Sequence, residues 1–165
     1  YTNEFHSGFS VQMTTRLRKD ESSHLIPFVK QDDHNTYVKS ISTSELELKL
    51  RYAPNEKFFQ TQWNRFPVSL DAPVFTLSHT IAGKGVLGSD YNYNHTEAGI
   101  QKRFWFSAFG YTDVILKAGK VWDKVPFPLL IMPNANLSYT IQPESYSLMN
   151  AMEFMNDEYF SWDVT

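Results

Sequence analysis

Over long stretches of this chain, residues alternate between two chemical kinds. From Glu45 to Tyr52 the even positions are three leucines and a tyrosine, and the odd positions are two glutamates, a lysine and an arginine. A looser version runs from Phe5 to Leu17, and the pattern recurs in three later segments. A β-strand places successive side chains on opposite faces, so each segment has an apolar and a polar face. Long two-faced strands need a large apolar medium on one side, either a second sheet or a lipid bilayer.

Composition narrows the class of protein. The 165 residues make one domain or a piece of a larger one, and we expect the numbering, which starts at Tyr1, to begin inside a longer protein. A net charge of −3 carries no basic signature for nucleic acid, and the lack of cysteine removes disulfides and thiolate metal sites. Aromatic residues form 16% of the chain, which a soluble domain must bury and a membrane barrel uses as interfacial girdles.

The alternation and the turn residues predict six extended segments. They are residues 5–18, 38–53, 74–84, 93–106, 111–122 and 148–164. The first half of the last segment has good helix formers, but we assign it as strand. Gly and Asp near residues 87–90 and Gly at 107–110 predict tight connections. Residues 19–35, 54–73 and 123–147 are expected to be loop or irregular. The connection at 54–73 is too long for a typical periplasmic turn of a barrel, so we expect it to continue as strand or to form a small hairpin.

Strand length bears on the choice of medium. Strands of globular proteins mostly run about 5–6 residues, whereas a tilted transmembrane strand needs roughly 9–11. Several predicted segments reach that length, and their second face is polar, as a water-filled or plugged lumen requires. No stretch approaches the roughly 20 apolar residues of a transmembrane helix. On pattern alone, a membrane barrel and a soluble β-sandwich remain equally open.

In a barrel, the two residue sets would have opposite surroundings. The lipid-facing set is predicted to be Leu46, Leu48, Leu50, Ala98, Ile100, Val114 and Leu116. The lumen-facing set is predicted to be Glu45, Glu47, Lys49, Arg51, Glu97 and Gln101. The prediction depends on the opposite chemistry of the two sets along each strand.

Few side chains suggest catalysis or metal binding. The candidates are Asp32, Asp33, His34, His79, His95, Glu153, Asp157 and Glu158. The first three lack a spaced fourth ligand, the other histidines fit strand positions, and the later acids fit a charged lumen. No Ser-His-Asp arrangement, phosphate loop or zinc motif is present. We therefore assign no catalytic, cofactor-binding or metal-binding residue.

Several strings resemble a known family. They are LRYAPNEKFFQ (50–60), PVFTLS (73–78), GVLGSDYNY (85–93), KRF (102–104), GYTD (110–113), AGK (118–120), VPFPLL (125–130), YSLMN (146–150), EF (153–154) and DEY (157–159). They make residues 45–164 similar to the C-terminal barrel of a poorly understood Gram-negative outer-membrane family. Its members join an N-terminal carboxypeptidase-regulatory-like domain to a barrel similar to those of BamA, TamA and surface antigens.

This resemblance implies an all-β fold, namely an antiparallel transmembrane β-barrel in the bacterial outer membrane. Residues 1–165 would form the later part of one barrel domain, with the N-terminal domain outside this chain. The resemblance supplies no function, because the family is poorly understood; our leading expectation is a structural or transport-type role, non-enzymatic and without a cofactor. Outer-membrane lipid is the expected surrounding, and other outer-membrane or periplasmic proteins are candidate partners. Two alternatives remain: a BamA-like assembly or translocation factor, and a soluble β-sandwich binding module.

The loop at residues 123–147 departs from the BamA-type pattern. BamA-type barrels carry an Arg-Gly-Phe or Arg-Gly-Tyr tip on the loop that folds into the lumen, and this loop contains no arginine and no glycine. It does contain the apolar run FPLLIM at 127–132, which is costly to leave in water. We expect the loop to fold inward with Phe127, Leu129 and Ile131 largely buried, held by apolar and backbone contacts.

Overall fold

The computed structural model describes residues 1–5, 7–23, 26–30, 36–61, 65–68, 71–140, 142 and 145–165. Within these ranges the strands are β1 (Thr2–Glu4), β2 (Phe9–Glu21), β3 (Phe28–Lys30), β4 (Thr36–Val38), β5 (Ser40–Tyr52), β6 (Phe58–Gln60), β7 (Arg65–Pro67), β8 (Val74–Ala82), β9 (Tyr93–Trp105), β10 (Tyr111–Val121) and β11 (Glu158–Val164). Short 3-10 turns lie at Val86–Gly88, Ser107–Phe109 and Phe127–Leu129. None of the helical segments described has the length and apolar character to cross a membrane.

Seven of the described strands form one antiparallel sheet in the order β1-β2-β5-β8-β9-β10-β11. Each long strand therefore lies beside the long strand that precedes it in the chain. The short pairs β3–β4 and β6–β7 are hairpins inserted into two of the connections. The predicted all-β, antiparallel fold class is confirmed at this level.

The register aligns like residues across the sheet. Leu50 of β5 lies opposite Val11 of β2 and Leu77 of β8. The row continues from Leu77 through Ala98 and Ala118 to the outermost strand. A slip of one residue in any pair would turn that strand's apolar side chains to the other face, so the pattern specifies the register.

Two surfaces follow from this register. The apolar face is the one that carries Val11, Met13, Leu46, Leu48, Leu50, Phe75, Leu77, Ile81, Ala98, Ile100, Val114, Leu116, Ala118, Phe160 and Trp162. The polar face is the one that carries Arg16, Arg18, Glu45, Glu47, Lys49, Arg51, His95, Glu97, Gln101, Arg103, Asp113, Lys117, Tyr159 and Asp163.

The connections divide between two ends of the sheet. At the end we call the short-turn end, residues 5–8 join β1 to β2 and residues 106–110 join β9 to β10. Gly8 and Gly110 adopt positive φ there, which favours glycine. The connection at 53–73, which contains the β6–β7 hairpin, lies at the same end. The opposite, long-loop end carries residues 22–39, 83–92 and 122–157.

The structure corrects the predicted bounds in two places. Strand β2 continues to Glu21, and the predicted loop at 19–35 contains the β3 half of a hairpin. The strand predicted at 148–164 is limited to Glu158–Val164, so its first half was wrong. Leu148 is fully exposed, and the backbone of Asn156 bonds to Ile131 of the preceding loop instead of to β10. A turn held by Glu153, which accepts a 2.9 Å bond from the Asn150 amide, replaces the extended chain.

Candidate functional site

Arg16, Glu45 and Glu47 form a charged cluster on the polar face. Glu45 is only 5% exposed, accepts a 3.0 Å hydrogen bond from the Thr43 hydroxyl, and lies 3.7 Å from the Arg16 guanidinium. Its neighbour Glu47 is also within ion-pair distance of Arg16, at 4.0 Å. A buried carboxylate is tolerated when donors surround it, so this corner of the face is an organised polar layer.

A second cluster ties together the last three strands. The Tyr159 hydroxyl of β11 donates a 2.6 Å hydrogen bond to the Glu97 carboxylate of β9. Between them, β10 contributes Gly119, and a Cβ added there would overlap the Tyr159 ring. The missing side chain is therefore what lets the ring cross β10 and reach Glu97.

Two bidentate arginine–carboxylate pairs lie toward the short-turn end. Arg51 donates to both oxygens of Glu56 at 2.7 and 2.8 Å. Arg103 donates to both oxygens of Asp113 at 2.6 and 2.5 Å. Two parallel hydrogen bonds between a guanidinium and a carboxylate fix the orientation of both groups as well as their distance. These pairs therefore hold the connections of that end in place.

The segment 122–157 crosses the polar face. Arg18 of β2 donates a 3.0 Å hydrogen bond to the Pro128 carbonyl, and Phe127 meets Phe28 edge-on with ring centroids 5.4 Å apart. Leu129 is 3% exposed. The arginine here belongs to the sheet and the acceptor is loop backbone, so these described contacts hold the loop through a carbonyl and apolar side chains.

A cavity of about 460 Å³ lies between this segment and the polar face. The residues lining it include Glu97, Ile115, Lys117, Ile131, Met132, Pro133, Asn134, Tyr146, Met149, Phe154, Asn156, Tyr159, Phe160, Ser161 and Asp163. Its volume falls in the range of small-molecule sites. The sheet supplies the charged groups and the loop supplies most of the apolar ones, so the lining of the cavity is amphipathic.

The apolar face is broadly solvent-exposed. Leu48, Leu77 and Ile100, in the middle of their strands, are 44%, 45% and 45% exposed. Large aromatic residues cluster toward the short-turn end, and those exposed there are Phe5, Tyr52, Phe75, Phe104, Trp105, Phe106, Phe109 and Tyr111. Soluble monomers rarely expose an apolar surface that runs across a whole sheet.

The predicted site residues fall into the groups just described. Leu46, Leu48, Leu50, Ala98, Ile100, Val114 and Leu116 share the apolar face, and Glu45, Glu47, Lys49, Arg51, Glu97 and Gln101 share the polar face. Whether these faces meet lipid and lumen stays a prediction. In the loop, Leu129 is buried while Phe127 and Ile131 are half-buried.

The weaker chemical candidates do not assemble. His79 lies on the apolar face with Nδ1 2.9 Å from the Thr96 hydroxyl, whereas His95 is half-buried on the polar face. Glu158 pairs with Lys120 at 2.8 Å. Asp32, Asp33 and His34 lie outside the described residues, and the part of the chain that is described contains no group of three potential metal ligands.

Sequence reasoning missed three residues that organise the site: Arg18, Phe28 and Tyr159. The alternation distinguished Arg18 only as one of several polar residues. Phe28 lay in a predicted loop, and Tyr159 lay in a segment that we assigned to strand throughout. The pairing of Gly119 with an aromatic residue on the next strand was the available signal for Tyr159.

Fold and surfaces together define an all-β protein with a two-faced antiparallel meander. The chain belongs to a family of unknown function, DUF5686, whose C-terminal-domain model matches residues 10–128. That match runs from β2 to the beginning of the segment 122–157, which we call the covering loop. No curated protein and no solved structure matches the chain.

Proposed function

We propose that this chain forms part of an outer-membrane β-barrel of structural or transport type, without catalytic activity. The observation that carries the proposal is the exposed apolar face, backed by a polar face on which Arg16, Arg51 and Arg103 pair with carboxylates. A soluble sandwich would cover such a face with a second sheet. A bilayer covers it with acyl chains, while the polar face lines the lumen.

Strand length supports the bilayer. Strands β5 and β9 each span 13 residues. At roughly 3.3 Å per residue such a strand is about 43 Å long. A tilt of about 45° reduces this to roughly 30 Å along the membrane normal, which is the thickness of the hydrocarbon core.

Backbone pairing requires closure in lipid. Among the described residues, β2 beyond Met13 pairs only with β5, and β11 pairs only with β10. Unpaired backbone groups are too costly in a bilayer, so a spanning sheet must close on itself. We propose that further strands of the whole protein complete the barrel.

Refolding the whole protein tests this proposal. It should require detergent or lipid, and the folded form should migrate faster on an unheated denaturing gel than on a heated one, because closed barrels resist unfolding. A folded, soluble monomer obtained from this chain without detergent would favour the sandwich instead.

The covering loop argues against a general role in inserting other barrels. It has no Arg-Gly tip, and its contact with the polar face runs in the other direction, from Arg18 to a loop carbonyl. We therefore expect depletion of the protein to leave other outer-membrane barrels assembled normally. Comparing the abundance of folded barrels in depleted and normal cells checks this, and a broad collapse would make the assembly-factor alternative the better one.

A further inference from the structure

The β6–β7 hairpin is an unusual feature of the short-turn end. The neighbouring connections of that end need only residues 5–8 and 106–110, whereas this one takes residues 53–73. Barrels of the outer membrane keep the connections on the periplasmic side short. The extra length at 53–73 therefore needs a reason of its own.

The hairpin is fixed at its roots. On the β6 side the Arg51–Glu56 pair clamps the chain just after β5. On the β7 side the Trp105 indole donates a hydrogen bond to Asp71. Across the base, the Val68 amide bonds to the Lys57 carbonyl at 2.7 Å. The hairpin therefore presents its side chains in a defined direction.

Its two faces differ. Phe58 lines a small pocket at the end of the sheet together with Arg51 and Glu56. Phe59 lies directly opposite Phe66, on the other face of the hairpin by strand alternation. Phe59 and Phe66 are 62% and 53% exposed, and Val68 next to them is also exposed. Two paired phenylalanines held in water lose the transfer free energy that burial would give.

Position identifies the apolar partner. The connection leaves the sheet after Tyr52 and returns just before Phe75, and these two rings stack with centroids 6.4 Å apart. Both belong to the exposed aromatic cluster of the short-turn end. The hairpin thus lies in the connection between two members of this cluster. In the proposed barrel, aromatic residues at the ends of the strands would lie at the membrane interface, and Lys57 beside Phe59 and Phe66 adds the cationic group common there.

We infer that the β6–β7 hairpin is an interfacial anchor that inserts Phe59 and Phe66 into the lipid leaflet at the short-turn end. This inference rests on the proposed function. The hairpin fixes the depth of the barrel at that end, because the aromatic pair is held at a set distance from the strands.

Site-directed fluorescence tests the anchor. These 165 residues contain no cysteine, so a single cysteine introduced here is the only one in this chain. It is labelled with bimane in the whole protein, with any cysteine outside these residues replaced by serine, and the protein is refolded into phosphatidylcholine vesicles. The test positions are Phe59→Cys and Phe66→Cys. Leu48→Cys reports the middle of the apolar face, and Tyr139→Cys reports an exposed loop at the long-loop end.

We expect labels at 59 and 66 to lose fluorescence when the lipids carry bromine near the headgroup, and to resist an aqueous quencher. The label at 48 should respond to bromine deep in the acyl chains, and the label at 139 only to the aqueous quencher. In F59S/F66S, a label at Val68→Cys should lose its response to lipid.

Other results separate two failures. If the label at 48 responds to lipid while those at 59 and 66 respond to the aqueous quencher, the proposed anchor is wrong but the proposed barrel is supported. Labels at 59 and 66 shielded from both quenchers would mean that protein covers the hairpin, which also overturns the anchor. If the label at 48 does not respond to lipid, the proposed barrel itself fails.

Discussion

The two faces of the main sheet are built by the same strands yet satisfied in opposite ways. On the polar face, Glu45 and Glu97 have hydrogen-bond donors and a loop lies above the sheet. On the apolar face, Leu48 and Ile100 are nearly half exposed. A folded chain that pairs polar groups such as these on one face and leaves apolar side chains open on the other is arranged for an apolar surrounding.

The two faces also differ in where they carry residues of the opposite polarity. The apolar face carries polar groups chiefly toward the long-loop end, where His79, Thr96 and Lys120 lie in one cross-strand row. The polar face carries apolar residues chiefly where the loop covers them, as at Ile115 beside the cavity. Each exception lies where the local surroundings change, which fits a membrane boundary on one face and a covered lumen on the other.

The largest effect is expected when a charged side chain is placed on the apolar face of β10 and an apolar one is placed at the next residue, on the polar face. Leu116→Arg should cost roughly 2–4 kcal/mol if Leu116 lies near the bilayer midplane, because lipid solvates a guanidinium poorly. Lys117→Leu should cost much less, because a lumen tolerates either side chain. A refolding titration into vesicles measures both, and equal losses would argue against a lipid face on β10.

A smaller effect is expected where the polar face is tightly packed. Gly119→Ala places a Cβ against the Tyr159 ring and should cost about 1–3 kcal/mol, as overpacking does. Replacing Tyr159 by alanine in the same chain should remove most of that cost, so the two losses should not add. Additive losses in the same titration would show that the ring does not occupy the space above Gly119.

A test of the loop comes next in size. Arg18→Met removes the donor to the Pro128 carbonyl while keeping most of the side-chain stem. The guanidinium is partly exposed, so the loss should be about 1 kcal/mol, seen as faster proteolysis within residues 122–157. Lys19→Met, on the opposite face, is the matched control. Equal proteolysis of both variants would show that the Arg18 bond does not hold the loop.

The smallest effect is expected for a charge pair on the apolar side of the sheet. Lys120 and Glu158 are exposed and 2.8 Å apart, toward the long-loop end. Exposed pairs of this kind contribute little, so Lys120→Gln should leave the unfolding midpoint unchanged in vesicles. A marked loss would place this pair in a low-dielectric surrounding and would move the membrane boundary beyond it.

Sequence reasoning located β5, β8, β9 and β10 to within two residues at each end, because their alternation is strong and glycine marks the turns beside β8, β9 and β10. It failed over 148–157, where residues such as Met149 and Phe154 fit several structures equally well. It left the connection at 54–73 open between continued strand and a small hairpin, and the structure has a hairpin there. It missed the β3–β4 pairing. Strands β6 and β7, which place Phe59 opposite Phe66, are only three residues long. Contacts at their ends, such as the Arg51–Glu56 pair, decide that they pair.

The sequence by itself determined the two faces, since period-two alternation assigns each side chain to a face and disfavours any slip by one residue between strands. It also determined that the loop must pack, because the run at 127–132 is too apolar to stay in water. Only the tertiary structure decided what the loop packs against and how. Contacts such as Arg18 to Pro128 and Tyr159 to Glu97 join residues 110 and 62 positions apart, and no local pattern encodes a pairing that arises only when distant strands meet.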